Sequence, residues 1–187
     1  MPKRGVESLK SSALRSLSRR RQADPHSVPG AVDLDCGIQL RGSIDLIERQ
    51  PSGLARVTDH KTGRAVVKHS QLIEGGKSIQ PLLYALAAEK LFANEAEITS
   101  GRLYFCTSLG GFVEHTVPLD ESARAAAVEV AGTIGDALSG PFLPAAPDRR
   151  ECDLCDFRVV CGPYEERRSA RKPQDRLEPL LSLRELP

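Results

Sequence analysis

Two carboxylates and one lysine stand in two short motifs near the middle of the chain. Asp45 ends the run Gly-Ser-Ile-Asp, and Asp59 and Lys61 lie in Thr-Asp-His-Lys-Thr-Gly. Because residues two apart in a strand share one face of a sheet, Asp59 and Lys61 are predicted to lie side by side. If the segment that carries Asp45 pairs with theirs, both carboxylates project from neighbouring strands at one place.

Carboxylates that meet in this way need a cation to offset their repulsion, and oxygen ligands favour a hard ion such as Mg²⁺ or Mn²⁺. A lysine beside that ion can orient a water molecule or offset the charge of a phosphate. The alternative is a pair of strand-end carboxylates with a neighbouring salt bridge, which is common on protein surfaces. Spacing alone leaves both interpretations open.

Gln80 and Tyr84 are separated by four residues in a segment with helical periodicity, so they are predicted to share one helix face. An amide beside a phenol can form hydrogen bonds with phosphate oxygens or with bases. The alternative is that the pair only covers an edge of the core.

Three cysteines near the carboxyl end follow the pattern C-x2-C-x5-C, at Cys152, Cys155 and Cys161. Three thiolates at this spacing suit zinc or an iron–sulfur cluster, and either metal centre needs a fourth ligand. Cys36 is the more available of the two remaining cysteines. The alternative is a set of buried thiols without a metal.

The surrounding sequence predicts the elements that hold these residues. Two strands with a turn at 50–53 should form a hairpin, and a second hairpin should surround Gly110-Gly111. Asp120 is a suitable cap for a helix that ends near Leu138. The predicted strands are 38–48, 54–59, 102–108 and 112–119. The predicted helices are 78–92 and 121–138. The second helix is expected to face inward with Ala127, Val130, Ile134 and Leu138.

Length, charge and composition predict one α/β domain with two flanking segments. The chain has 187 residues, is 40% apolar and carries a net charge of +1, which excludes a uniformly basic nucleic-acid coat. Residues 1–30 form a basic arm, with a short amphipathic helix near its start, or a truncated leading helix. Residues 31–147 form the core, and 148–187 a Cys-rich metal-binding extension. No secretory leader or membrane-spanning run is recognisable, so a cytoplasmic location is expected.

The motifs occur in a combination that resembles the PD-(D/E)XK nuclease superfamily, and specifically its RecB-like branch. The resemblance rests on Gly-Ser-Ile-Asp45, on Asp59-His-Lys61-Thr-Gly and on Gln80-Pro-Leu-Leu-Tyr84, in that order. The cysteine run resembles the last part of the iron–sulfur staple of AddB-type and CRISPR-associated exonucleases. The resemblance covers about 32–168.

This resemblance implies a restriction-endonuclease-like core, in which a central mixed β-sheet is flanked by helices. It also implies that Asp45, Asp59 and the His60 carbonyl hold Mg²⁺ or Mn²⁺, and that Lys61 positions the attacking water. Gln80 and Tyr84 would lie near the scissile strand. A [4Fe–4S] cluster is implied at the cysteines, with zinc as the alternative.

The function implied is a metal-dependent deoxyribonuclease, and more specifically an exonuclease of DNA repair or recombination. It would act on DNA ends or single strands, in the cytoplasm and without a membrane, and a helicase is a potential partner. The family's leading helix carries an acidic or histidine metal ligand, and only Glu7 and His26 are candidates for it in this sequence. The upstream cysteine of the family's cluster has no counterpart here. The alternative function is therefore a DNA-binding or interaction module that keeps the nuclease fold with weak or no catalysis.

Overall fold

The computed structural model describes residues 30–65, 72–140, 145–147 and 151–187. The short helix expected near the amino terminus lies outside these residues. The strands are β1 Val32–Leu34, β2 Ile38–Leu40, β3 Leu46–Arg49, β4 Leu54–Lys61, β5 Glu97–Phe105 and β6 Glu114–Pro118. The α-helices are α1 Gln80–Leu91, α2 Glu121–Ser139, α3 Arg158–Cys161, α4 Glu165–Ser169 and α5 Gln174–Glu185, and 3-10 turns occupy Glu74–Gly76 and Glu151–Leu154.

The central element is a four-stranded mixed sheet in the order β3-β4-β5-β6. β4 and β5 are parallel, whereas β3 and β6 lie antiparallel at the two edges. A parallel pair needs a crossover connection, and α1 supplies it between β4 and β5. Both expected hairpins, β3–β4 and β5–β6, are present. The predicted mixed sheet flanked by helices is therefore confirmed.

Helix α1 approaches the sheet closely because β5 carries a glycine at the crossing point. A Cβ atom on Gly101 would lie only 1.9 Å from the carbonyl oxygen of Pro81, in the first turn of α1. Alanine and apolar side chains then fill the space between helix and sheet, where Val57 and Ile98 pack against Ala85 and Ala88. This close packing fixes the amino end of α1 relative to β4.

Residues 38–48, expected to form one strand, form two strands instead. β2 pairs with β1 in a separate hairpin, β3 pairs with β4, and 41–45 connect them. The apolar alternation continues through Gly42, but the strand pairing does not, and Tyr84 packs closely on this glycine. Asp45 consequently lies in the connection immediately before β3.

Helix α2 begins as predicted, because the Asp120 side chain accepts a hydrogen bond from the Ala123 backbone N–H at 2.9 Å. Its buried face includes Ala127 and Val130. Leu138, expected to face inward, is 71% exposed, so that part of the prediction is wrong. The last turn of α2 extends beyond the core against which the earlier turns pack.

The carboxyl-terminal helix α5 contributes directly to the core. Leu183 is buried in the same apolar cluster as Ile73 and Leu82. The Ile73 backbone N–H donates to the Pro187 carbonyl at 2.8 Å, so the chain end holds the segment that leads into α1. The domain boundary at 147 stays a prediction. Among the described residues, no helix is long and apolar enough to cross a membrane.

Candidate active site

Three polar side chains meet where β4 ends and α1 begins. Lys61 Nζ lies 2.6 Å from Asp59 Oδ2 and donates a hydrogen bond of 2.6 Å to Gln80 Oε1. Gln80 Nε2 in turn donates to Asp59 Oδ1 at 3.0 Å. Each of the three side chains therefore contacts the other two, and we call this cluster the Asp59–Lys61–Gln80 triangle.

Sheet alternation places the triangle on the helix-facing side of β4. Ala55 and Val57 on that side are buried under α1, and Asp59 continues the row with only 7% of its surface exposed. Lys61 lies one step further and is half-buried, at the edge where the chain leaves the sheet. A buried carboxylate requires a compensating charge or hydrogen bonds, and Lys61 and Gln80 supply both.

Asp45 lies in the connection before β3 and contacts the residue that follows Asp59. The last pair of the β3–β4 register is Leu46 with Thr58, so Asp45 and Asp59 each lie one residue beyond it. The Asp45 Oδ2 atom accepts a hydrogen bond of 2.8 Å from the His60 backbone N–H and lies 3.7 Å from His60 Nδ1. Two carboxylates thus share one end of adjacent strands, although they come from different segments.

Tyr84 lies one helical turn after Gln80 but contacts a different part of the site. A Cβ atom on Gly42 would lie 3.3 Å from the Tyr84 hydroxyl oxygen, so the ring packs against the connection that carries Asp45. Ile44 and Tyr84 also border the same apolar cluster. From this position Tyr84 can support the segment that carries Asp45. The position also agrees with the alternative that Tyr84 only covers an edge of the core. The role of Tyr84 at a scissile strand stays a prediction.

The donor chemistry of this region fits a hard divalent cation. Two carboxylates and the His60 carbonyl belong to one end of β3 and β4, and all of these donors are oxygen atoms. Among the described residues, no three His, Cys, Asp or Glu side chains form a group suited to a metal ion. The described side chains on their own therefore provide only a sparse ligand set.

The three cysteines of the carboxyl-terminal segment do not form such a group either. Cys152 is buried, Cys155 is exposed and Cys161 lies between these extremes. Cys36, considered as a fourth ligand, packs against apolar clusters beside α1. The described residues therefore do not fit a preformed iron–sulfur or zinc site.

Sequence reasoning missed a second polar network on the opposite side of the sheet. Buried Arg102 donates to Glu48 Oε2 at 2.7 Å, to Thr58 Oγ1 at 3.0 Å and to Glu114 Oε1 at 2.8 Å. Arg56 makes two further hydrogen bonds to Glu48. Polar residues at alternate positions of β4 and β5 were the available signal, because period-two alternation marks one sheet face.

The network makes Glu48 a source of pH-dependent stability. Burial alone would raise the pKa of Glu48, but hydrogen bonds from Arg56 and Thr58 and the charge of Arg102 hold the pKa below its ordinary value of 4.5. A carboxyl whose pKa is lower in the folded chain contributes stability above its unfolded pKa, and this is lost as the pH falls through the folded value. We expect Glu48→Gln to lower the melting temperature at pH 7, with a difference from wild type that shrinks below pH 4.5.

Thermal melts of both chains across this pH range test the prediction. Glu95→Gln is a matched control, because Glu95 is an exposed carboxylate outside the network. A Glu48→Gln deficit that stays constant down to acidic pH would contradict the charge-based explanation.

The fold and the site together define an α/β protein with a carboxylate–lysine centre at the end of its sheet. A family model of the PD-(D/E)XK nuclease superfamily matches residues 3–162, and the chain belongs to that superfamily. Members of this superfamily are generally nucleases and typically use divalent metals such as Mg²⁺. No curated protein matches the chain. The matched range includes both carboxylates, the whole triangle and the three cysteines.

Proposed function

We propose that this chain is a Mg²⁺-dependent deoxyribonuclease whose centre is the Asp59–Lys61–Gln80 triangle with Asp45. The observation that carries the proposal is the buried carboxylate of Asp59 held between an amine and an amide, with a second carboxylate, Asp45, bound to the backbone of the next residue. Membership of the nuclease superfamily supports phosphodiester hydrolysis as the reaction. A pure binding module would need no such arrangement.

Each residue has a role that follows from its contacts. Asp45, Asp59 and the His60 carbonyl would hold the cation. When bound, a divalent ion polarises a phosphate and lowers the pKa of a coordinated water. Lys61 carries a positive charge at the edge of the site and can donate a hydrogen bond to that water or to a phosphate oxygen.

Gln80 orients the other two members of the triangle. Its amide nitrogen donates to Asp59 while its amide oxygen accepts from Lys61, so one side chain fixes the direction of both. The backbone of α1 is itself fixed by the Gly101 contact and by the chain end on Ile73. We infer that this rigidity would hold the lysine amine in one position at the edge of the site.

The finer parts of the proposal rest on the resemblance to the RecB-like branch. They are exonucleolytic action on DNA ends or single strands, a role in DNA repair or recombination, a helicase partner and a cytoplasmic location. Cluster binding by Cys152, Cys155 and Cys161 also stays a prediction. No catalytic step is assigned to it, because the described cysteines do not form a ligand group.

A second candidate function is a DNA-binding module with little or no catalysis. One observation favours it, because both carboxylates already have protein partners, Asp59 with Lys61 and Asp45 with the His60 N–H. A cation would have to compete with these contacts. Metal binding therefore separates the two functions directly.

Calorimetric titration with Mn²⁺ tests the proposed metal site. We expect the wild-type chain to bind one ion, and we expect Asp45→Asn to weaken its affinity at least about tenfold, because one carboxylate ligand is lost. Asp33→Asn is a suitable control, since Asp33 is an exposed carboxylate in β1. Absence of Mn²⁺ binding by the wild-type chain would favour the binding module.

A further inference from the structure

The loop that joins β5 to β6 presents two large apolar side chains to solvent. We call residues 106–113 the β5–β6 loop. Leu109 is 57% exposed and Phe112 is 59% exposed. Both side chains lie on one short loop and are available for a contact with a partner.

This loop is fastened to the end of the strand that carries the catalytic residues. The Cys106 N–H donates to the Lys61 carbonyl at 3.0 Å, and the Thr107 hydroxyl donates to the Thr62 carbonyl at 3.1 Å. Gly110 lies so close that a Cβ atom there would be 2.8 Å from the Gly63 carbonyl oxygen. The loop therefore lies against the three residues that begin at Lys61.

The loop is also held in one conformation by its own backbone. The Gly110 and Phe112 N–H groups both donate to the Thr107 carbonyl. Phe112 has a φ of 55°, a left-handed conformation that is unfavourable for a bulky side chain and common for glycine. A strained aromatic residue on the surface, where glycine would fit without strain, is a feature that tends to accompany function.

We propose that Phe112 is a stacking surface for an unpaired base of the nucleic-acid strand next to the scissile phosphate. This inference rests on the proposed function and names its substrate class. Phosphates and sugar hydroxyls are polar, so the faces of the bases are the apolar surface that a strand offers to an aromatic ring. In a duplex these faces stack on each other, whereas in single strands and frayed ends they are free to stack on the protein.

The position of the loop favours a base over other occupants. Its contacts with residues 61–63 place it next to Lys61, the residue proposed to contact the phosphate or the attacking water. Its fixed backbone means that little conformational freedom is lost on binding, which suits a stacking contact. The loop thus predicts a preference for unpaired over paired DNA.

Phe112→Gly separates this role from a structural one. Glycine relieves the left-handed strain, so we expect the melting temperature to rise by about 2–4 °C. The same change removes the stacking surface, so we expect KM for a single-stranded oligonucleotide to rise about tenfold, with a much smaller change for a blunt duplex. Phe112→Trp should retain the affinity for the single strand. Val128→Ala is a matched control, because Val128 is 56% exposed on α2.

Cleavage assays with both substrates, in parallel with thermal melts, distinguish the possible failures. If wild type cleaves both substrates and Phe112→Gly leaves KM for the single strand unchanged, the stacking role is wrong and the proposed nuclease function stands. If Phe112→Gly instead changes the oligomeric state, the loop contacts a second copy of the chain and the stacking role is also wrong. If wild type cleaves neither substrate, the proposed function fails and this inference fails with it.

Discussion

We expect Lys61→Ala to slow single-turnover DNA cleavage by about 10²-fold or more, the usual cost of removing a positioned catalytic group. The amine of Lys61 is the only charged nitrogen in the Asp59–Lys61–Gln80 triangle, and it lies 2.6 Å from both partner oxygens. Alanine removes the donor that would reach the attacking water or the phosphate. Asp59 keeps its hydrogen bond from Gln80, so the fold should survive the change.

A comparison of cleavage rate with DNA affinity tests this expectation. Affinity, measured by fluorescence anisotropy, should change far less than the rate, because Lys61 acts on the reacting groups and not on the bulk of the strand. Lys90→Ala is a matched control, since Lys90 also forms an ion pair, with Asp35 at 2.5 Å, near the other end of α1. Equal loss of affinity and rate would identify Lys61 as a general phosphate contact.

The second large effect is expected for Asp59→Asn, which should reduce cleavage by on the order of 10³-fold or more. The amide has nearly the shape of the carboxylate and can still pair with Gln80, so little stability should be lost. The amide carries no charge, however, so the affinity for the metal should fall and Lys61 should be held less firmly in its orientation. The variant should therefore lose activity through the cation as well as through the lysine.

Asp59→Asn is measured by the same cleavage assay together with Mn²⁺ titration. Asp35→Asn provides the control, because Asp35 is exposed and pairs with Lys90 away from the triangle. Retained cleavage with normal Mn²⁺ affinity would mean that Asp59 is a structural carboxylate. If the variant is folded and inactive but still binds Mn²⁺ normally, the metal is bound by other residues.

Local sequence patterns predicted the parts of the site that depend on local structure. The two-residue spacing of Asp59 and Lys61 puts them on one sheet face, and the structure has them in contact. The helix cap at Asp120 and the turn at Gly110 and Gly111 likewise depend on hydrogen bonds between residues that are close in the sequence. Such features follow from backbone periodicity and turn chemistry without knowledge of the rest of the chain.

Contacts between distant segments could not be predicted in this way. The strand break at 41–45 lies where Tyr84, far along the chain, packs on Gly42, and nothing local in the apolar alternation signals this contact. The Gln80 contacts depend on how closely α1 crosses β5 at Gly101. Leu183 lies in the predicted extension 148–187, yet it is buried in the core cluster with Ile73 and Leu82, a contact between segments far apart in the sequence.

One cleavage experiment tests whether the carboxylates and Lys61 perform metal-dependent hydrolysis. A labelled single-stranded oligonucleotide is incubated with the wild-type chain in Mg²⁺, in excess EDTA, and in EDTA followed by excess Mg²⁺, with Asp59→Asn in parallel. We expect cleavage in Mg²⁺, none in EDTA and recovery when Mg²⁺ is restored, and we expect cleavage by Asp59→Asn to be lower by on the order of 10³-fold or more in Mg²⁺. Equal cleavage by the wild-type chain in excess EDTA would contradict metal-dependent hydrolysis.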